Sequence, residues 1–333
     1  MTALQGQVAL VAGATRGAGR GIAIALGEAG ATVICTGRSS RTGTVNPERP
    51  ETIEETAELV TEAGGTGVAV RCDHTDEDAV RALFERVRAE HGRLDVLVND
   101  IWGGDALTEW GTPFWEANVS QGFTMMERAV HTHVITSRHG VPLLLEGERG
   151  LVVEVTDGAF YGYRGQLFYD LCKMSVIRLA YAMSVELAET NVTALALTPG
   201  FLRSEAVLAH FGVTADNWRD AIEKDPHFAV SETPRFVGRV IAALAADPDV
   251  GELAGRALAS WDLARRYDVV DVDGAQPHWD EHLDAAIEAI LASDSPSEDD
   301  CMLLGLRKSQ IDFDASRADQ RRRIVEFLEA RKR

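Results

Sequence analysis

The chain has 333 residues, 45% of them apolar and 26% charged, enough for a large buried core in a water-soluble protein. Its formal net charge of −19 excludes the basic face that nucleic acid or an anionic membrane would require. Four cysteines (Cys35, Cys72, Cys172, Cys301) share no close spacing, so structural disulfides and zinc are not expected and a reduced, cytoplasmic setting is. The first residues carry no basic leader, and no run reaches the roughly 18 apolar residues of a membrane span.

In chain order, short Val/Leu/Ala-rich runs at 8–13, 32–37, 67–73, 94–100, 150–156 and 192–200 read as strands buried on both faces. Amphipathic stretches such as 77–92 and 174–190 lie between them, which predicts an α/β fold: a doubly wound parallel sheet of Rossmann type. Residues 39–50 form a Pro/Gly/Ser-rich loop. The expected division is a catalytic domain over 1–260 and a C-terminal extension over 261–333, ending in an acidic serine-containing segment and an arginine-rich amphipathic helix.

Directly after the first run stands "AGATRGAGRGIAIAL", with Gly13, Gly17 and Gly19 before a helical pattern. Such glycines let the backbone approach a pyrophosphate at a helix N-terminus, which makes Gly13, Thr15, Arg16, Gly17 and Gly19 a candidate dinucleotide loop. The second strand ends in Arg38, where NAD enzymes of this architecture carry an acid, and Arg16 lies inside the loop. Two guanidiniums suit a 2′-phosphate, so NADP(H) is the expected cofactor.

Further on, "YDLCK" sets Tyr169 four residues before Lys173, one face of a helix. The spacing would arise about 0.06 times in a shuffled chain of this composition, so its setting has to decide its meaning. Together these motifs resemble the short-chain dehydrogenase/reductase family over about residues 7–205. The stretch 261–274, "WDLARRYDVVDVDG", resembles the branch of dehydrogenase/reductase SDR family member 1 and its bacterial relatives.

The resemblance implies an oxidoreductase with Tyr169 as acid/base and Lys173 as its electrostatic and ribose-binding partner. It implies Asp73 against the adenine, Asn99 at the end of the fourth strand, and Pro199, Gly200 and Ser204 at the nicotinamide end. The Lys173 ammonium is expected to lower the Tyr169 phenol from about 10. Counting 13 residues back from Tyr169, the family serine falls on Thr156, the expected donor to the substrate carbonyl. Asp157 beside it would oppose a tyrosinate. Counting 40 back, the family asparagine falls on Ala129; Asn118 is too far upstream and reads as a helix-start or loop residue, leaving His131 and His133 as polar relay groups.

The segment 201–234 corresponds to a lid, with Phe201, Leu202, Phe211, Trp218 and Phe228. Trp102, Trp110, Phe114 and Trp115 share the expected cleft, favouring an apolar or aromatic ketone or aldehyde. A homodimer or homotetramer through helices at 114–140 and 170–190 is the family-level expectation. Reduction of a C=N or activated C=C bond, and a non-catalytic NADP(H)-binding regulator, remain alternatives.

Overall fold

A computed structural model describes residues 3–43, 49–159 and 162–291, with single residues 319 and 322. Positions 44–48 of the loop after the second strand, Cys301, the acidic segment and all but two residues of the arginine-rich tail lie outside the described residues.

Seven strands form one parallel sheet: β1 Val8–Ala12, β2 Thr32–Gly37, β3 Thr66–Arg71, β4 Val96–Asn99, β5 Gly150–Val155, β6 Val192–Thr198 and β7 Ala257–Ala259. Their order across the sheet is β3-β2-β1-β4-β5-β6-β7. Register is set in the centre, where Leu10 of β1 lies between Ile34 and Leu97. Side chains alternate between the faces. Ala9 and Val11 point into a core shared with α1 (Gly17–Glu28), α2 (Ile53–Glu62), α8 (Pro234–Ala246) and α9 (Ser260–Tyr267). Val8, Leu10 and Ala12 point into the other, with α3 (Glu77–His91), α5 (Thr132–Leu144) and α6 (Leu167–Glu186).

The helices start where the sequence supplies caps. Asp76 accepts the N–H groups of Asp78 and Ala79 to open α3, and Gln166 accepts the Tyr169 N–H to open α6. The tyrosine therefore sits in the first turn of a helix that begins at Leu167 and runs on through the amphipathic stretch from Met174. The helix expected across 114–140 divides into α4 (Val119–Met126) and α5, joined by a π-helical turn over Glu127–His131. Ala129, buried, lies in that turn. Asn118 caps α4 by accepting the Gln121 N–H, as its helix-start reading anticipates.

Strand order reverses between β1 and β4, and in such sheets a crevice opens beyond the strand ends at that point. α1, α6 and the short helix α7 (Glu205–Phe211) surround it.

Candidate active site

A cavity of about 780 Å³ occupies the crevice. Of the residues singled out from sequence, Gly13, Thr15, Arg16, Gly17, Arg38, Asp73, Thr156, Tyr169, Lys173, Pro199, Gly200 and Ser204 all line it. Gly19 and Asn99 are buried and do not line it.

The loop at its floor requires glycine. Gly13 has φ +94°, and a Cβ there would meet the Asp100 carbonyl oxygen at 2.3 Å; one on Gly19 would meet the Gly13 oxygen at 2.4 Å. Asp100 closes this floor by accepting the Gly19 N–H; burial pushes its carboxyl up to about 7, although Lys173 and His133 favour its charge. The Gly17 N–H, at the start of α1, donates to Glu205 Oε2 at 2.8 Å. Ser204 is engaged in capping α7, accepting the Val207 N–H.

At the end expected to take the adenosine, Asp73 accepts both the N–H and the hydroxyl of Thr75. Burial raises its carboxyl, but these bonds and nearby Arg38 outweigh that and hold it below its ordinary value. His74, wedged between the hydroxyls of Thr36 and Thr136 at 2.8 Å each, ties β2 and α5 together beneath it. Three arginines line the same end: Arg16, Arg38 and Arg49. Buried Glu51 pairs with Arg16 Nε and with Arg49, each at 3.4 Å. Arg16 Nη2 is buried with no hydrogen-bond partner among the described residues. Arg49 and Glu51 escaped the sequence reading because they follow a long irregular loop with no fixed spacing to the glycines.

At the opposite end the Tyr169 ring packs edge-on against Trp102 at 5.3 Å and against Trp110 at 5.0 Å. The Lys173 ammonium stands 4.1 Å from the Trp102 ring centre and 5.4 Å from that of Tyr169. The Tyr169 hydroxyl donates to Asp157 Oδ2 at 2.8 Å. Burial first, and then Asp157, push the phenol far above its ordinary value, opposite to the fall expected from Lys173; Arg164 offsets part of this. The Thr156 hydroxyl donates to the Lys173 carbonyl oxygen at 2.9 Å and so is turned into the protein. The side chain beside the phenol is Asp157, one residue beyond the position reached by counting.

Other expected members of the site lie elsewhere. His131 is exposed on a shallow outer groove with Phe123 and Glu127. His133 is fully buried, with Nδ1 2.5 Å from Glu154 Oε2 and Nε2 donating to the Ile101 carbonyl. Glu154, next to last in β5, also accepts from Asn99 and Ser137, so His133 is part of a buried polar network beneath the cavity. Phe201, Phe211, Trp218 and Phe228 pack into a separate cluster of their own; the lid residues that reach the cavity are Leu202, Ser204, Glu205, Ala206 and Val207. Phe114 and Trp115 meet edge to face and are 62% and 72% exposed. Among the described residues no group of three or more His, Cys, Asp and Glu side chains is arranged to hold a metal, and no helix is long and apolar enough to cross a membrane.

A family model described as short chain dehydrogenase matches residues 7–210. Dehydrogenase/reductase SDR family member 1 of Mus musculus is 36% identical over 276 residues, 81% of this chain and 85% of the relative. A 3beta-hydroxysteroid dehydrogenase of Mediterraneibacter gnavus is 32% identical over 196 residues, 58% of this chain and 65% of the relative. Among solved structures, one of a putative dehydrogenase from Xanthomonas campestris superposes with a TM-score of 0.68 at 22% identity, covering 83% of this chain and 95% of the other.

Proposed function

Because this chain belongs to the short-chain dehydrogenase family of nicotinamide-dependent oxidoreductases, we propose that it interconverts an apolar or aromatic ketone or aldehyde and its alcohol with NADP(H). The observation that carries the reading is convergence: the glycine loop, Asp73 and the Tyr169–Lys173 pair, distant in sequence, line one cavity.

The residues fit a dinucleotide. Gly13 and Gly17 would present backbone to the diphosphate, Asp73 would face the adenine, and the Pro199–Gly200 turn would border the nicotinamide. When bound, the cofactor supplies hydride to the carbonyl carbon or removes it from the alcohol. The three guanidiniums of Arg16, Arg38 and Arg49 against the two carboxylates of Glu51 and Asp73 leave a positive surplus at the adenosine end, which supports a 2′-phosphate and hence NADP(H). Tyr169 would exchange a proton with the substrate oxygen. Trp102 and Trp110 against its ring support an apolar substrate, as does the likeness to a protein named for a hydroxysteroid, an alcohol on an apolar skeleton.

Assembly as a homodimer or homotetramer is part of the same reading. Val119 and Phe123 on α4, and Leu171, Tyr181 and Val185 on α6, are each at least 40% exposed. Covering such side chains is a common reason for two copies to associate.

The test follows NADPH oxidation at 340 nm over a panel of aromatic and aliphatic ketones and aldehydes, with NADH as cofactor control and Tyr169→Phe beside wild type. Turnover by wild type alone, faster with NADPH, is the expected result. NADPH binding with no turnover of any member would favour a binding-only regulator, and equal turnover by Tyr169→Phe would place the proton donor elsewhere.

A further inference from the structure

Three contacts distribute the polar groups around the phenol in an unusual way. The Thr156 hydroxyl is committed to the Lys173 carbonyl oxygen. The Lys173 ammonium lies over the Trp102 ring. Among the described residues only Asp157 makes a hydrogen bond with the Tyr169 hydroxyl, and there the phenol donates, at 2.8 Å. The phenol thus already faces a proton acceptor, one whose ordinary pKa lies about 6 units below its own.

We propose that Asp157 is a catalytic residue, forming with Tyr169 a proton-carrying dyad in which the Asp157 carboxyl, and not a tyrosinate, gains and loses charge over the reaction. The proposal rests on the carbonyl–alcohol reading above. In the oxidising direction the alcohol O–H bond breaks as its proton passes to the Tyr169 oxygen. The Tyr169 O–H bond breaks as that proton passes to Asp157, which becomes a carboxylic acid. The carbon–hydride bond breaks toward an oxidised nicotinamide, so the alcohol is oxidised, the nicotinamide is reduced, and Asp157 later releases its proton to water. Reduction runs the same transfers backward, starting from protonated Asp157 and a reduced nicotinamide.

The electrostatics around the dyad favour this division. Tyr169 is held as a neutral phenol by burial, by Asp157 and, more weakly, by Asp105 on the loop after β4. Arg164, on the loop before α6, opposes them. Asp170, one residue along α6, is raised by burial and in part by Asp157, yet its carboxylate accepts the Arg164 N–H. Lys173, the remaining cation on this face of α6, is near Asp100 and Trp102. A tyrosinate there would sit against a carboxylate; a dyad that hands the charge to Asp157 never forms that pair.

The test needs no substrate. Tyrosinate absorbance at 295 nm is titrated in wild type and Tyr169→Phe, the difference isolating Tyr169, and again in the Asp157→Asn pair. Asp157→Ser serves as a second neutral variant, and NADPH binding checks that each variant is folded. The expected result is no Tyr169 ionisation up to about pH 11 in wild type, and ionisation at least one unit lower without the carboxylate, a tenfold easier proton loss. Tyr169 ionising below about pH 9 in wild type, or at the same pH in both backgrounds, overturns the dyad. A second arm compares the pH dependence of NADPH oxidation in wild type and Asp157→Asn. Loss of the wild-type limb in the variant supports the dyad, and identical profiles overturn it. If no carbonyl is reduced at all, the carbonyl reading fails while the titration still decides whether Asp157 governs the phenol.

Discussion

The two ends of the cavity were built under different constraints. At the cofactor end the backbone is the working part. Gly13 and Gly19 cannot carry a Cβ without striking the Asp100 and Gly13 carbonyls, so their identity is dictated whatever the substrate. At the reaction end side chains do the work, and the scaffold around them accepts replacement. An aspartate stands against the tyrosine, a threonine turns inward, and a tryptophan takes the lysine's charge on its face. The lesson is that one end should respond to mutation in binding and the other in turnover.

The largest expected effect separates them cleanly. Tyr169→Phe removes the proposed proton carrier and should lower kcat for carbonyl reduction by about 10³-fold, within the range for positioned acid–base groups, while leaving the NADPH Kd unchanged. A matching loss of NADPH binding would show that the two ends are not separable. The next effect concerns the frame under the adenosine end. Burial holds His74 neutral, with His133 nearby reinforcing this, and its pKa falls from 6.5 to about 4. Between those values the unfolded chain binds the proton and the folded one does not. The His74 contribution to stability is therefore complete above pH 6.5 and lost as pH falls, by about 2 kcal/mol at pH 5. Urea unfolding at pH 7.5 and pH 5 should show wild type losing about 2 kcal/mol relative to His74→Asn over that interval, since Asp100, raised to about 7, titrates alike in both; equal changes would remove His74 as the source.

How much of this was legible follows the same divide. The strands with near-continuous apolar runs, and the glycine loop, were readable because burial on both faces and close backbone approach each leave a local signature. β7, three residues long, left none. The site's adenosine end was half readable: Arg16 and Arg38 have fixed places beside the loop and β2, whereas Arg49 and Glu51 return from an irregular loop. At the reaction end, counting reached Thr156 although the hydrogen bond belongs to Asp157, because spacing along a loop does not determine which neighbour turns toward the phenol. The lid aromatics Phe201, Phe211, Trp218 and Phe228 favoured an apolar substrate as a set; a lid of this length also needs a core of its own, and they form it.

Arg16→Ala gives a smaller effect and tests the adenosine end alone. Removing one of three guanidiniums should weaken NADPH binding about tenfold, the order of one charge-assisted hydrogen bond, with little change for NADH. Fluorescence titration of both cofactors measures it. Equal weakening of the two would mean that Arg16 shapes the loop without meeting a 2′-phosphate.

The smallest effect is the one that joins the two ends. Glu205, at the start of α7, places a carboxylate on the Gly17 N–H at the positive end of α1, the bond a dinucleotide phosphate would accept. Its neighbour Ser204 caps the same helix, and Leu202, Ala206 and Val207 bring the lid's apolar face to the cavity. A cofactor phosphate that accepts the Gly17 N–H would have to displace this carboxylate, which stands on the helix bordering the cavity. Glu205→Gln keeps the shape and removes the charge that competes with phosphate. NADPH and NADH should therefore both bind about threefold more tightly, the order of a surface helix-dipole interaction. The equal gain matters, because Glu205 faces groups common to the two cofactors, unlike Arg16. Tighter binding of NADPH alone would tie Glu205 to the 2′-phosphate end instead, and weaker binding of both would make it a support of the loop rather than a competitor for it.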